Sequence, residues 1–80
     1  MPQAYSNPVR WSEDNVRSQL PTVQVTFEQA GMPITITCIT SGRKESFCTV
    51  RPFEYGSATE WHFSWTAIAH SLNSGEPLKV

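Results

Sequence analysis

The chain has 80 residues, of which 39% are hydrophobic and 16% charged, with a formal net charge of −1. That length makes one domain with a marginal core, and the near-zero charge excludes wholesale electrostatic attraction to nucleic acid or to an acidic membrane. Neither half carries a charged tail, the apolar runs are only a few residues long, and the N-terminus lacks a signal peptide's apolar stretch, so the expectation is a soluble cytoplasmic protein.

The first element in chain order is short. Pro2, Pro8 and Pro21 punctuate residues 1–21, an N-terminal segment in which 13–20 reads as a helix. Ser12 is placed to cap it, and Glu13 and Asp14 fall in the first turn, where the helix dipole favours acids. Trp11, Val16 and Leu20 are its apolar anchors.

Residues 22–80 read as a single β-β-β-α domain. In 22–28, Val23, Val25 and Phe27 alternate with polar residues, the period of a half-buried strand. Ala30-Gly31 offers a two-residue turn, and 34–40 resumes the alternation with Ile34, Ile36 and Cys38. This turn pairs Phe27 with Ile34, Val25 with Ile36 and Val23 with Cys38, all on one face. A turn over Gly42-Arg43-Lys44 then leads to a third strand at 46–51 and pairs Cys38 with Cys48 and Ile36 with Val50. Because the side-chain period in a strand is two, a slip of one residue would expel a whole apolar set, so agreement across three strands supports the meander. The opposed cysteines read mainly as small buried hydrophobes, with a redox disulfide as the sharper alternative. Their spacing fits no common zinc pattern, and no metal or cofactor is expected.

The last third carries two competing patterns. Ser57-Ala58-Thr59-Glu60 has the form of a capping box, and Trp61, Trp65, Ile68 and Leu72 follow on one helical stripe, predicting a helix over 58–72 that packs on the apolar sheet face. Asn73-Ser74-Gly75 and Pro77 end it. Trp61, Phe63 and Trp65 also alternate, so 60–66 has a rival reading as a fourth strand; the helix is preferred. In a helix Phe63 points away from the stripe and becomes an exposed contact residue. The fold class expected is therefore α+β, a three-stranded antiparallel meander covered on one face by a C-terminal helix.

No catalytic constellation emerges. Asp14 is the sole aspartate, His62 and His70 fall on the expected helix, and the glycines are too scattered for a phosphate loop. Met1-Pro2 resembles the start of the tautomerase superfamily, whose base is an N-terminal proline, but the likeness covers that dipeptide alone and the strand that should follow is missing. The element order resembles the double-stranded-RNA-binding domain and the small β-β-β-α DNA-reading domains. Those folds imply phosphate-gripping cations, whereas Ser57-Ala58-Thr59-Glu60 stands where the RNA module has lysines.

The outward residues point elsewhere. Ile39 and Phe47 are expected as cross-strand partners on the outer face, with Arg43 and Lys44 at the hairpin tip and Arg51 on the third strand. Aromatic and aliphatic side chains rimmed by arginine have the composition of a protein-binding hot spot. The alternative is that Trp11 or Leu20 covers them. The sequence thus predicts a non-enzymatic module, a regulator or inhibitor that binds another protein through Ile39, Arg43, Lys44, Phe47, Arg51 and Phe63. Self-association is expected through the open edge of 22–28, no membrane partner is expected, and nucleic-acid binding is the alternative function.

Overall fold

The computed structural model describes residues 10–53 and 58–80. In chain order the elements are α1 (Glu13–Gln19), β1 (Thr22–Gln29), β2 (Met32–Ser41), β3 (Phe47–Pro52), β4 (Trp61–Ser64), α2 (Trp65–Ser74) and β5 (Leu78–Lys79). They form an α+β fold with one five-stranded sheet ordered β4-β3-β2-β1-β5, antiparallel except where β5 joins β1 in parallel.

Helix α1 starts as its sequence dictates. The Asn15 amide donates to the Ser12 hydroxyl at 3.2 Å, and the Ser12 amide donates to the Asn15 side chain at 2.7 Å, a reciprocal cap that satisfies two orphan donors. Leu20 closes it in the left-handed region, its amide donating to the Val16 carbonyl, and Pro21 cannot extend it.

The β1–β2 hairpin has the register read from the sequence: Phe27 faces Ile34, Val25 faces Ile36 and Val23 faces Cys38. Ala30 (φ 53) and Gly31 (φ 79) are both left-handed, the conformation whose twist matches a two-residue hairpin.

The β2–β3 register differs from the sequence reading. Cys38 faces Pro52, Ile39 faces Arg51 and Thr40 faces Val50, so Cys38 and Cys48 are not opposed. Residues 42–46 form a longer loop, closed by a Glu45 amide donating to the Gly42 carbonyl at 2.9 Å and anchored by the Trp65 indole, which donates to the Glu45 carbonyl at 2.9 Å. The displacement is an even number of residues, which is why Cys48 and Val50 still face inward despite the changed partners.

The expected helix over 58–72 is also corrected. Trp61–Ser64 is a strand, with Trp61 opposite Val50 and Phe63 opposite Cys48. Pairing there satisfies the backbone groups along the second side of β3, which a helix would have left open. Helix α2 then begins at Trp65, capped by Ser64, whose hydroxyl accepts from the Ala67 amide at 3.0 Å. Ser57, the expected cap, lies outside the described residues.

One strand had no counterpart in the sequence reading. After Gly75 ends α2, Leu78–Lys79 pairs with β1 at Val25 and Thr26, and the Val80 amide donates to the Thr26 carbonyl at 3.1 Å. The edge of 22–28 expected to be open is therefore occupied over these residues.

Both helices lie on the inner face. Val16 from α1, Val23, Val25, Cys38, Cys48 and Val50 from the sheet, and Trp65 and Ile68 from α2 form a continuous buried core. Helix α1 docks on α2: the Trp11 amide donates to the Asn73 side chain at 2.7 Å, and the Arg17 guanidinium sits 5.6 Å from the Trp65 ring.

Candidate interaction surface

Because β1 to β4 alternate, the side chains that point away from the helices fall on the outer face in rows that cross the strands. One row runs Thr22, Ile39 and Arg51. The next runs Ser41, Thr49 and His62. Polar pairs continue the face beyond Ile39 toward the β1–β2 turn: Thr26 and Thr35 are joined at 2.7 Å, and Gln24 donates to Thr37 at 2.9 Å. These cross-strand pairs tie β1 to β2 without covering the face.

The sequence-predicted site residues are only partly brought together. Ile39 and Phe47 are both exposed, at 38% and 37%, but they are not cross-strand partners. Ile39 faces Arg51, whereas Phe47 faces Ser64, roughly 13 Å further along β3 at about 3.3 Å per residue. Phe47 instead packs on His62, ring centroids 4.6 Å apart and planes tilted by 58°. The face thus presents an aliphatic–cationic spot at Ile39 and Arg51 and an aromatic spot at Phe47 and His62, with Thr49 on the strand between. Trp11 and Leu20 pack against the inner core, so neither lies over these side chains.

Charge on the face is balanced. Glu60 lies 3.9 Å from Arg51 and 3.6 Å from His62. All three side chains are about half exposed, so the pairs orient one another more than they stabilise the fold. At the hairpin loop, Lys44 is exposed, while Arg43 donates to the Ser18 carbonyl at 3.4 Å and ties the loop to α1. Phe63 is removed from the surface set: on β4 it faces inward and packs half-buried against the core. Its candidacy depended on a helical position that the chain does not adopt.

The two thiols belong to the interior. Cys38 and Cys48 are free and fully buried, and desolvation pushes both above the ordinary thiol value; for Cys48 hydrogen bonds from Ser41 and Thr40 oppose that rise. A protonated, buried thiol is a poor nucleophile and a poor metal ligand. Among the described residues no group of three or more His, Cys, Asp or Glu side chains could hold a metal ion, and no helix is long and apolar enough to cross a membrane.

A second surface was missed by the sequence reading. On the inner face, beyond α2, a cleft of about 590 Å³ opens between the hairpin and β4. Phe27, Ile34, Ile36, Pro52 and Trp61 form its apolar walls, and Gln29 and Thr59 are its polar members. Phe27 and Trp61 meet across it with centroids 5.6 Å apart. The sequence reading gave no signal for it, because a helix over 58–72 would be about as long as a strand over 22–28; the observed ten-residue α2 is only about 15 Å long, while the eight residues of β1 span about 26 Å, so one cannot cover the other.

Comparison of the chain with protein-family models, with curated proteins and with solved structures returns no match. The functional reading accordingly rests on the chemistry of these two surfaces.

Proposed function

We propose that the protein is a small non-enzymatic interaction module that binds another protein through the outer face of its sheet, in the manner of a regulator or inhibitor. One observation carries this reading: Ile39 and Phe47 stand exposed on a hydrogen-bonded strand scaffold while both helices occupy the opposite face. Rigid presentation matters because side chains already held in place cost less entropy to immobilise at an interface. Arg51 beside Ile39, and His62 beside Phe47, supply the polar rim that an apolar anchor needs. Two buried, unpaired thiols suit the reducing cytoplasm, where such a module would act.

The nucleic-acid alternative draws on the Phe47–His62 pair as a stacking platform. It is weakened by the cations available. Glu60 lies beside Arg51, and Arg43 is engaged by α1, so few charges remain to grip phosphates.

The test is affinity capture from the native host with wild type, Phe47→Asp and Ile39→Asp in parallel, followed by titration of the captured partner. Each substitution is expected to weaken binding by at least about tenfold, the cost of placing a charge at an apolar anchor. A partner held equally by all three proteins would remove the outer face from the site. Titration with single-stranded DNA and RNA at two salt concentrations decides the alternative, which requires binding that collapses as salt rises.

A further inference from the structure

We infer that β4 is a pairing edge at which two copies of this chain join antiparallel, with a two-fold axis at His62. β4 ends the sheet on its side, and among the described residues no strand lies beyond it. The ladder fixes which of its backbone groups point outward. The Phe53 amide, just past β3, donates to the Thr37 carbonyl at 3.0 Å, so the odd-numbered residues of β3 bond β2 and the even-numbered ones bond β4. Cys48 faces Phe63 and Val50 faces Trp61, so those two aromatic residues bond β3. By alternation Glu60, His62 and Ser64 direct their backbone groups away from the sheet. Amides and carbonyls in that array are complemented by another extended strand. Residues 60–64 include neither lysine nor proline, two common means of blunting an edge.

The strand's own pattern selects a second copy as the occupant. Glu60-Trp61-His62-Phe63-Ser64 runs polar, aromatic, polar, aromatic, polar, and so is symmetric about His62. Turned antiparallel on itself, it sets Trp61 opposite Phe63 of the second copy twice, and aromatic cross-strand pairs stabilise a sheet. Both rings are half-buried, and Phe27 already steadies Trp61 with centroids 5.6 Å apart. The register is equally selective. Outward groups must meet outward groups, so the axis falls on a residue and not between two. An axis at Phe63 would run the pairing into α2, which begins at Trp65, and one at Trp61 would set Ser64 against Ala58, well outside β4. At His62 the amide and carbonyl meet their own counterparts, and each Ser64 amide meets the opposing Glu60 carbonyl. Charge and space agree with this placement. Glu60 falls opposite Ser64 instead of its own image and keeps Arg51 at 3.9 Å. Helix α2 starts beside β4 and ends just before β5 at the opposite edge of the sheet, so it leads away from the junction. The result is an isologous dimer with one continuous sheet. So short an edge makes a small contact, and the dimer is expected to be concentration-dependent.

Sedimentation of the full chain over a wide concentration range tests this, with amide hydrogen exchange followed by NMR on the same samples. Wild type, His62→Thr and Ile39→Asp are expected to dimerise alike, because each keeps the backbone of the edge. His62→Pro should raise the dissociation constant by at least about tenfold, since it removes the amide at the axis, a group that faces solvent in the monomer. His62→Glu should do the same by setting like charges across the axis, and it remains informative even if circular dichroism shows His62→Pro to be unfolded. The His62 and Ser64 amides should gain protection as the wild type is concentrated. A wild type that stays monomeric up to about 1 mM, or a dimer unchanged in a folded His62→Pro or His62→Glu, overturns the inference. So does a dimer lost with His62→Thr or Ile39→Asp, which would place the contact on outer-face side chains. His62 and Ser64 amides already protected in the dilute monomer would show the edge to be covered within the chain, and also overturn it.

Discussion

Cys38 and Cys48 show how a residue's chemistry follows from its burial. Both are held inside by strand parity and both titrate above the ordinary thiol value of 9.0 because the thiolate would be desolvated. The linkage has a definite sign. Below that value neither state ionises and the contribution is complete; as pH rises past it, the unfolded chain releases its thiol protons first, so folding stability falls. Urea midpoints measured from neutral pH upward should decline above pH 9, and a Cys38→Ala/Cys48→Ala variant, though less stable at neutral pH, should decline less. A slope identical in the two proteins would remove the thiols as its cause. In the native state neither thiol should react with a disulfide reagent faster than the protein unfolds. The same parity sends Ile39, Phe47 and Arg51 outward, and there the consequence is recognition instead of packing.

At the scale of elements, the segment 61–64 decided most. Trp-x-Phe-x has the propensity of a strand, and the free side of β3 offered it hydrogen bonds; a helix there would have satisfied only itself. The helix was displaced rather than lost, because Trp65, Ile68, Ala69 and Leu72 still form one stripe after Ser64 supplies the cap. Ser64→Ala should therefore cost about 1 kcal/mol in thermal or urea unfolding, the usual worth of such a cap. A stability unchanged within error would argue that the helix begins elsewhere. The β1–β2 hairpin, by contrast, came out as read, since a two-residue turn leaves the register no freedom.

At the scale of the whole molecule, a two-residue strand closes the sheet. Leu78 is buried beside Val25, and its backbone occupies the edge of β1 at the point where the core lies behind it. Ending the chain after Gly75 should cost about 2–3 kcal/mol for the lost leucine alone. It should also open that edge and make the shortened protein aggregate at concentrations where the full chain does not. Calorimetry and light scattering read the two effects separately; a shortened protein as stable and as dispersed as the full one would deny β5 its role. The other unfinished margin of the molecule is the cleft, where the sheet simply outruns its helices.

What the sequence determined by itself was local and periodic: the Ser12 cap, the hairpin at Ala30-Gly31, the inward set of Val23, Val25, Cys38, Cys48 and Val50, and the outward exposure of Ile39 and Phe47. The cap and the turn follow from the chemistry of a few adjacent residues and the inward and outward sets from a two-residue period, all of which neighbours in the chain suffice to express. The tertiary structure alone decided the rest. The loop 42–46 lengthened because Trp65 reaches back to the Glu45 carbonyl, and the strands at 61–64 and 78–79 formed because distant edges had unpaired backbone groups to offer. Parity survives a change of register by an even number of residues, but proximity does not. That is why the face carrying Ile39 and Phe47 was legible, whereas their separation and the burial of Phe63 were not.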